Sequence, residues 1–152
     1  MRAVIQRVSS SSVISDGVPT GAIGQGLMIL LGVFKGDEKL DAELLAMKIA
    51  KLRIFSDENG KMNRSVLDVG GAALVVSNFT LCASYAHGNR PDYMNAESPE
   101  RACELYEYFV SLLRQEIKVE TGVFGAHMAL SIENDGPITI VMDSEVLRKK
   151  GK

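Results

Sequence analysis

Chemically versatile side chains are sparse in this 152-residue chain: its histidines are His87 and His127 and its cysteines Cys82 and Cys103. Any Ser-His-Asp or Cys-His device must therefore use one of these four residues. Neither histidine sits in a recognisable nucleophile motif, so a thiol or hydroxyl hydrolase built from Cys82 or Ser77 with His87 rests on residue type alone. The spacing of the two Cys and two His matches no zinc pattern, and no metal or other cofactor is expected. Gly21-x-x-Gly24-x-Gly26 departs from G-x-G-x-x-G and opens an apolar strand rather than a helix, which argues against a nucleotide cradle.

Two places stand apart. Ser77-Asn78-Phe79-Thr80-Leu81 follows a compact apolar run, so its amide N–H groups and hydroxyls are available to a pocket; a strand edge running into a turn accounts for the same residues. Gly136-Pro137 lies between two apolar runs. An X-Pro bond is cis in roughly 5–6% of folded cases, and Gly-Pro is an ordinary device for a tight turn.

The elements that must position these residues are readable from periodicity. Arg2–Ser9 predicts a strand, and Asp16-Gly17 a type I′ turn in a hairpin near 10–23. The unbroken apolar run 27–34 suits a strand buried on both faces. Ala42, Leu45, Ile49 and Leu52 predict a helix over 39–52 with Asp37 as N-cap. Arg53–Phe55 and Ala73–Ser77 read as strands, and 83–97 as a polar loop long enough to suggest function. A second helix starts with Ser98 as N-cap and Pro99 at its first position, and runs to about Lys118. Met128–Glu133 and Ile138–Asp143 read as two strands joined by Asn134-Asp135-Gly136-Pro137, ahead of a solvated basic end at Arg148-Lys149-Lys150. About seven strands, grouped rather than alternating with two main helices, indicate an α+β fold with a curved, barrel-like, mostly antiparallel sheet.

Composition narrows the class. With 46% apolar and 24% charged residues the chain is an ordinary globular domain, large enough to bury roughly 68–70% of its unfolded surface without staples. A net charge of -2 is too balanced to hold long nucleic acid by phosphate neutralisation, so DNA is not an expected partner, whereas a short RNA end remains compatible. The longest apolar run falls short of the roughly 20 residues that cross a bilayer. Two cysteines with no C-x-x-C and no secretory leader fit a reducing cytosol.

From Met1-Arg2-Ala3-Val4-Ile5-Gln6-Arg7-Val8, through Leu52-Arg53-Ile54-Phe55 and Lys61-Met62-Asn63, to Val119-Glu120-Thr121-Gly122 and Asn134-Asp135-Gly136-Pro137, the chain resembles the D-aminoacyl-tRNA deacylase (D-tyrosyl-tRNA deacylase) family. The resemblance covers residues 1–144 as one domain and leaves 145–152 as a basic C-terminal tail. The two unusual places fall on that family's paired motifs, Ser-Gln-Phe-Thr-Leu and Asn-x-Gly-Pro. Asn78 stands where the family has Gln, and His87-Gly88-Asn89 where it usually has a more basic loop.

The resemblance implies a homodimer that hydrolyses the ester linking a D-amino acid, or glycine, to the 3′-terminal adenosine of tRNA, without a cofactor. Ser77, Asn78, Phe79 and Thr80 would form the catalytic segment, with N–H groups around Phe79 and Thr80 holding the oxyanion and the Thr80 hydroxyl positioning the substrate. One such donor is worth about 2.7–4 kcal/mol in a dry site. Phe124 would stack on the terminal adenine, and Ala102 would leave room for the amino-acid side chain. Gly136 and Pro137, joined by a cis bond and held by hydrogen bonds from Arg7 to their carbonyls, would reject L-amino acids from across the dimer interface. The alternative reading is a non-catalytic module of the same fold that binds a tRNA end or an amino acid.

Overall fold

The computed structural model describes residues 1–150. One continuous strand, β1 (Arg2–Ser15), replaces the expected strand and hairpin arm, and turns at Asp16-Gly17 with φ of 47° and 80°, the pair of positive values a I′ turn requires. β2 (Val18–Ile23) and β3 (Gly26–Gly32) follow. Both pair antiparallel with β1, β3 along Arg2–Val8 and β2 along Ser11–Ser15, so two short strands share one long partner. Irregularities at Val13/Ile14 and around Val8 bend β1 and give the sheet its barrel-like curl.

After α1 (Lys39–Ala50) comes a small ribbon, β4 (Phe55–Ser56) with β5 (Met62–Arg64). β6 (Ala72–Ser77) then pairs parallel with β3, and a 3-10 turn over Phe79–Cys82 ends it. α2 (Pro99–Arg114) crosses back to β7 (Lys118–Thr121), which pairs parallel with β6. Helix α2 stops four residues before the expected Lys118 because that residue opens β7. β8 (Met128–Asp143) and α3 (Ser144–Lys149) complete an α+β fold with, among the described residues, eight strands and three α-helices, one strand and one helix more than expected. No helix among the described residues is long and apolar enough to cross a membrane.

The apolar run at β3 follows from its position. Leu27, Ile29 and Leu31, with Ala73 and Val75 of β6, pack under Leu45 and Ile49 of α1 and Leu105, Phe109 and Leu113 of α2. Met28, Leu74 and Val76 point the other way and form a second cluster with Val8, Val13 and Ile23 inside the curl. A strand covered on both faces cannot alternate.

Three expectations are corrected. Met128–Glu133 and Ile138–Asp143 are one sixteen-residue strand, not a hairpin: β8 pairs antiparallel with β1 on both sides of the motif. Gln6 faces Thr139 and Val8 faces Asn134, so Asp135-Gly136-Pro137-Ile138 bulges out opposite Arg7 alone. The N-cap of α1 is Glu38, because Asp37 is engaged elsewhere, accepting from the Phe34 amide at 2.7 Å and pairing with the Met1 ammonium at 2.7 Å. The basic end is not a solvated tail at its start: Arg148 lies on α3 and pairs with Asp41 on α1; residues 151 and 152 lie outside the described residues.

Asp41 is 2% exposed. Burial opposes its ionisation, yet hydrogen bonds from Arg148, from the Glu38 amide and from Ser144 outweigh it and hold the carboxyl at about 2. A depressed native pKa contributes stability that is complete above the unfolded value near 4 and vanishes as pH falls toward 2. The contribution is about 2 kcal/mol. Urea titrations at pH 6, 4 and 2.5 should show the wild type losing about that much more stability on acidification than Asp41→Asn. Parallel losses in the two proteins would contradict the assignment.

Candidate active site

At its far end β6 keeps a neighbour on one side and loses it on the other. Pairing with β3 continues to Leu31 and Ser77, and the Asn78 amide still donates to the Leu31 carbonyl at 2.8 Å. Pairing with β7 ends at Val75 and Thr121. Backbone groups alternate in direction along a strand. Ala72 and Asn78 donate toward the β3 side, so Val75 and Ser77 direct theirs toward the side that β7 has left.

The gap is a cavity of about 330 Å³. Ser77, Asn78 and Phe79 form one wall, Ala102 and Tyr106 of α2 the base, and Phe124 with the segment into β8 the opposite wall. Five of the nine residues expected at a site therefore meet in one place. Phe124 is half-buried and lies against the Tyr106 ring, with centroids 5.8 Å apart at 51°.

The 3-10 turn sets which backbone donors are available. Asn78 is its N-cap, and its side-chain oxygen accepts from the Thr80 amide at 3.2 Å and from the Thr80 hydroxyl. The expectation that the Thr80 amide serves as an oxyanion donor is therefore corrected: that donor is occupied within the turn. Phe79, at the first position, has no intrahelical acceptor for its N–H. Thr80 is exposed and does not line the cavity. The turn can sit this close to β3 because Gly32 has no side chain; a Cβ there would lie 2.9 Å from Leu81 Cβ and 3.1 Å from the Asn78 carbonyl oxygen.

Arg7, Gly136 and Pro137 lie elsewhere. Gly136 is six residues along β8 from Leu130, the last cavity residue on that strand, which is roughly 20 Å at strand rise. The Gly136-Pro137 peptide is cis, and both residues are exposed. Arg7 does not donate to the Gly136 and Pro137 carbonyls as expected. Its guanidinium donates instead to the Asp135 carbonyl at 3.2 Å and to the Ile54 carbonyl at 2.9 Å, pinning the base of the bulge to the loop before β4. Gly136 has φ of 134°, and a Cβ there would lie 2.8 Å from the Ile138 nitrogen, so this position requires glycine.

A thiol device is ruled out by placement. Cys82 is buried, and burial followed by the Asp37 carboxylate pushes its thiol up to about 11, while His87 lies on the exposed 83–97 loop. Among the described residues no group of three or more His, Cys, Asp or Glu is placed to hold a metal ion. The cavity also contains Glu97, Tyr106 and Met128, which sequence reasoning missed, and His127, which it weighed as a base without finding a motif around it. Tyr106 alone carried a signal, since it follows Ala102 by four residues on the same helix face. The Glu97 amide donates to the Val33 carbonyl at 3.0 Å, which ties the end of the polar loop to the cavity lining.

The chain is similar to known proteins over nearly its whole length. The family model described as D-Tyr-tRNA(Tyr) deacylase matches residues 4–143. A D-aminoacyl-tRNA deacylase of Persephonella marina is 58% identical over 147 residues, covering 97% of this chain and all of that protein. One of Syntrophomonas wolfei is 57% identical over 148 residues, covering 97% and 99%. Among solved structures, a c-Myc DNA unwinding element binding protein superposes with a TM-score of 0.88 at 40% identity, over 94% of this chain and 98% of that one. A probable eukaryotic D-amino acid tRNA deacylase superposes at 0.77 with 18% identity, a likeness of fold, over 93% and 98%. Matched over almost its whole length, with its cavity at the end of the strand that carries Ser77-Asn78-Phe79-Thr80-Leu81, the chain belongs to the D-Tyr-tRNA(Tyr) deacylase family.

Proposed function

We propose that the cavity between β6 and β7 receives the 3′-terminal adenosine of tRNA with its D-aminoacyl or glycyl ester, and that main-chain donors at the end of β6 carry the hydrolysis. The observation behind this reading is the convergence of Ser77, Asn78, Phe79, Ala102 and Phe124 on one cavity. The adenine lies against Phe124, a contact of roughly 1–3 kcal/mol, and Ala102 leaves space for the amino-acid side chain. The ester is already activated, and the vicinal 2′-hydroxyl of the ribose assists water at the carbonyl. The tetrahedral oxyanion is held by the Phe79 N–H, and the Thr80 hydroxyl acts through Asn78 to fix the turn.

The protein acts as a cytosolic homodimer in which the Gly136-Pro137 bulge of one subunit enters the cavity of the other. Supporting this, the bulge is too far along β8 to reach its own cavity. β8 pairs with β1 alone among the described strands, leaving its other edge free, and exposes Ile132 and Val141. An enzyme that accepts many side chains must discriminate at the α-carbon they share. Main-chain carbonyls at the tip of the bulge, held at its base by Arg7, occupy the space an L side chain needs, and glycine passes because it has none.

Stereospecific release is the first consequence: D-tyrosine should leave tRNA while the L-ester stays intact, with no loss on adding EDTA. Equal cleavage of both esters would overturn the assignment. Since the Thr80 hydroxyl is tied to Asn78, Thr80→Ala should cost less than the roughly 10²–10³ expected for an oxyanion donor, and Asn78→Gln should be tolerated. A folded Thr80→Ala enzyme that binds RNA but is dead would point to a hydroxyl nucleophile instead.

Action across the interface has its own test. Ala102→Trp fills the cavity and Gly136→Ala disturbs the bulge, so each homodimer should be inactive. After mixing and subunit exchange, half the dimers carry one intact cavity facing one intact bulge, which restores about a quarter of the activity. No recovery in demonstrably mixed dimers would place both elements in the same subunit.

A further inference from the structure

Tyr106 lies where three parts of the cavity meet. It is 5% exposed on α2, one turn beyond Ala102. Its hydroxyl donates to the Val75 carbonyl at 2.8 Å, and its ring touches Phe124. Val75 is the last β6 residue paired with β7, and its carbonyl points toward the side where the next β7 amide would have come. The phenol oxygen takes that place. Two residues later β6 reaches Ser77 and the 3-10 turn; on the opposite wall the chain leaves Thr121 and arrives at Phe124.

We infer that Tyr106 is a positioning residue that holds the cavity open as a wedge between the diverging β6 and β7, its hydroxyl fixing the end of β6 and its ring fixing Phe124. The inference rests on the deacylase reading of this cavity. A buried carbonyl left without a donor at the end of a ladder is costly. Without the hydroxyl, either the strand end shifts to find another partner or β7 closes toward it, and both displace the Ser77-Asn78-Phe79 wall. Burial holds the phenol well above its ordinary range, so the proton stays on the oxygen and the donor is available at every working pH. The two contacts have separable effects: the hydroxyl governs the wall that meets the ester, and the ring governs the wall that meets the adenine.

Two substitutions separate them in the full-length enzyme. Tyr106→Phe keeps the ring and removes the donor; kcat for D-tyrosyl-tRNA should fall about tenfold, with KM and the Kd for AMP within about twofold of wild type. Tyr106→Leu removes both, and should add a rise of about tenfold in KM and in the Kd for AMP. Val110→Ala, one turn further along α2 and outside the cavity, serves as the control for destabilisation alone. Assayed well below its unfolding transition, it should lower the denaturation midpoint and leave kcat, KM and AMP binding unchanged. An unchanged kcat in Tyr106→Phe, or the same kcat loss in folded Val110→Ala, would overturn the inference. A wild-type enzyme inactive on D-tyrosyl-tRNA would instead overturn the reading of the cavity itself.

Discussion

Everything at the cavity depends on the unequal company that β6 keeps. On the β3 side it is paired to its last residue, so the strand end is as rigid as the core beneath it. On the β7 side the ladder stops at Val75. A strand paired on both sides would have no main-chain group to offer a ligand, and a strand paired on neither would have no fixed direction in which to offer it. The parallel β3–β6 pair, buried between the helices and the inner cluster, supplies the rigidity, and the early departure of β7 supplies the opening.

This arrangement accounts for how little reactive side-chain chemistry the protein contains. The buried thiol is held protonated, and Thr80 spends its hydroxyl and amide on Asn78. What remains directed at the cavity is mostly backbone and apolar surface. Such a site suits an already activated bond, where orientation and a well-placed donor contribute more than a nucleophile.

Much of this was legible in the sequence wherever a local signal decides the local outcome. Asp16-Gly17 needed positive φ and turned there; Ser98-Pro99 opened α2; the apolar run at 27–34 marked a strand covered twice. Ser77 to Phe79 and Ala102, drawn from contiguous and helical patterns, line one cavity. The misreadings share a cause. Asn134 to Pro137 has the composition of a hairpin turn, and what makes it a bulge is β1, more than 120 residues earlier in the chain, which pairs on both sides of it. Asp37 looks like an N-cap until Phe34 and the chain's own ammonium claim it. Thr80 reads as a free amide until the neighbouring Asn78 folds back upon it. In each case a competing partner was invisible to periodicity.

The long pairing of β1 with β8 also shapes how the protein reaches its fold. Arg2 donates to Asp143, 141 positions away, and the whole first strand waits on the last for one of its two ladders. Contacts between such distant segments require loop-closure entropy to be lost before any stabilisation is returned, a cost that local contacts largely escape. On the ribosome, β1 to β3 can assemble as soon as they emerge, but one edge of β1 stays open until β8 is made. The bulge that carries Gly136-Pro137 therefore cannot take shape before β8 has paired with β1 on both sides of it.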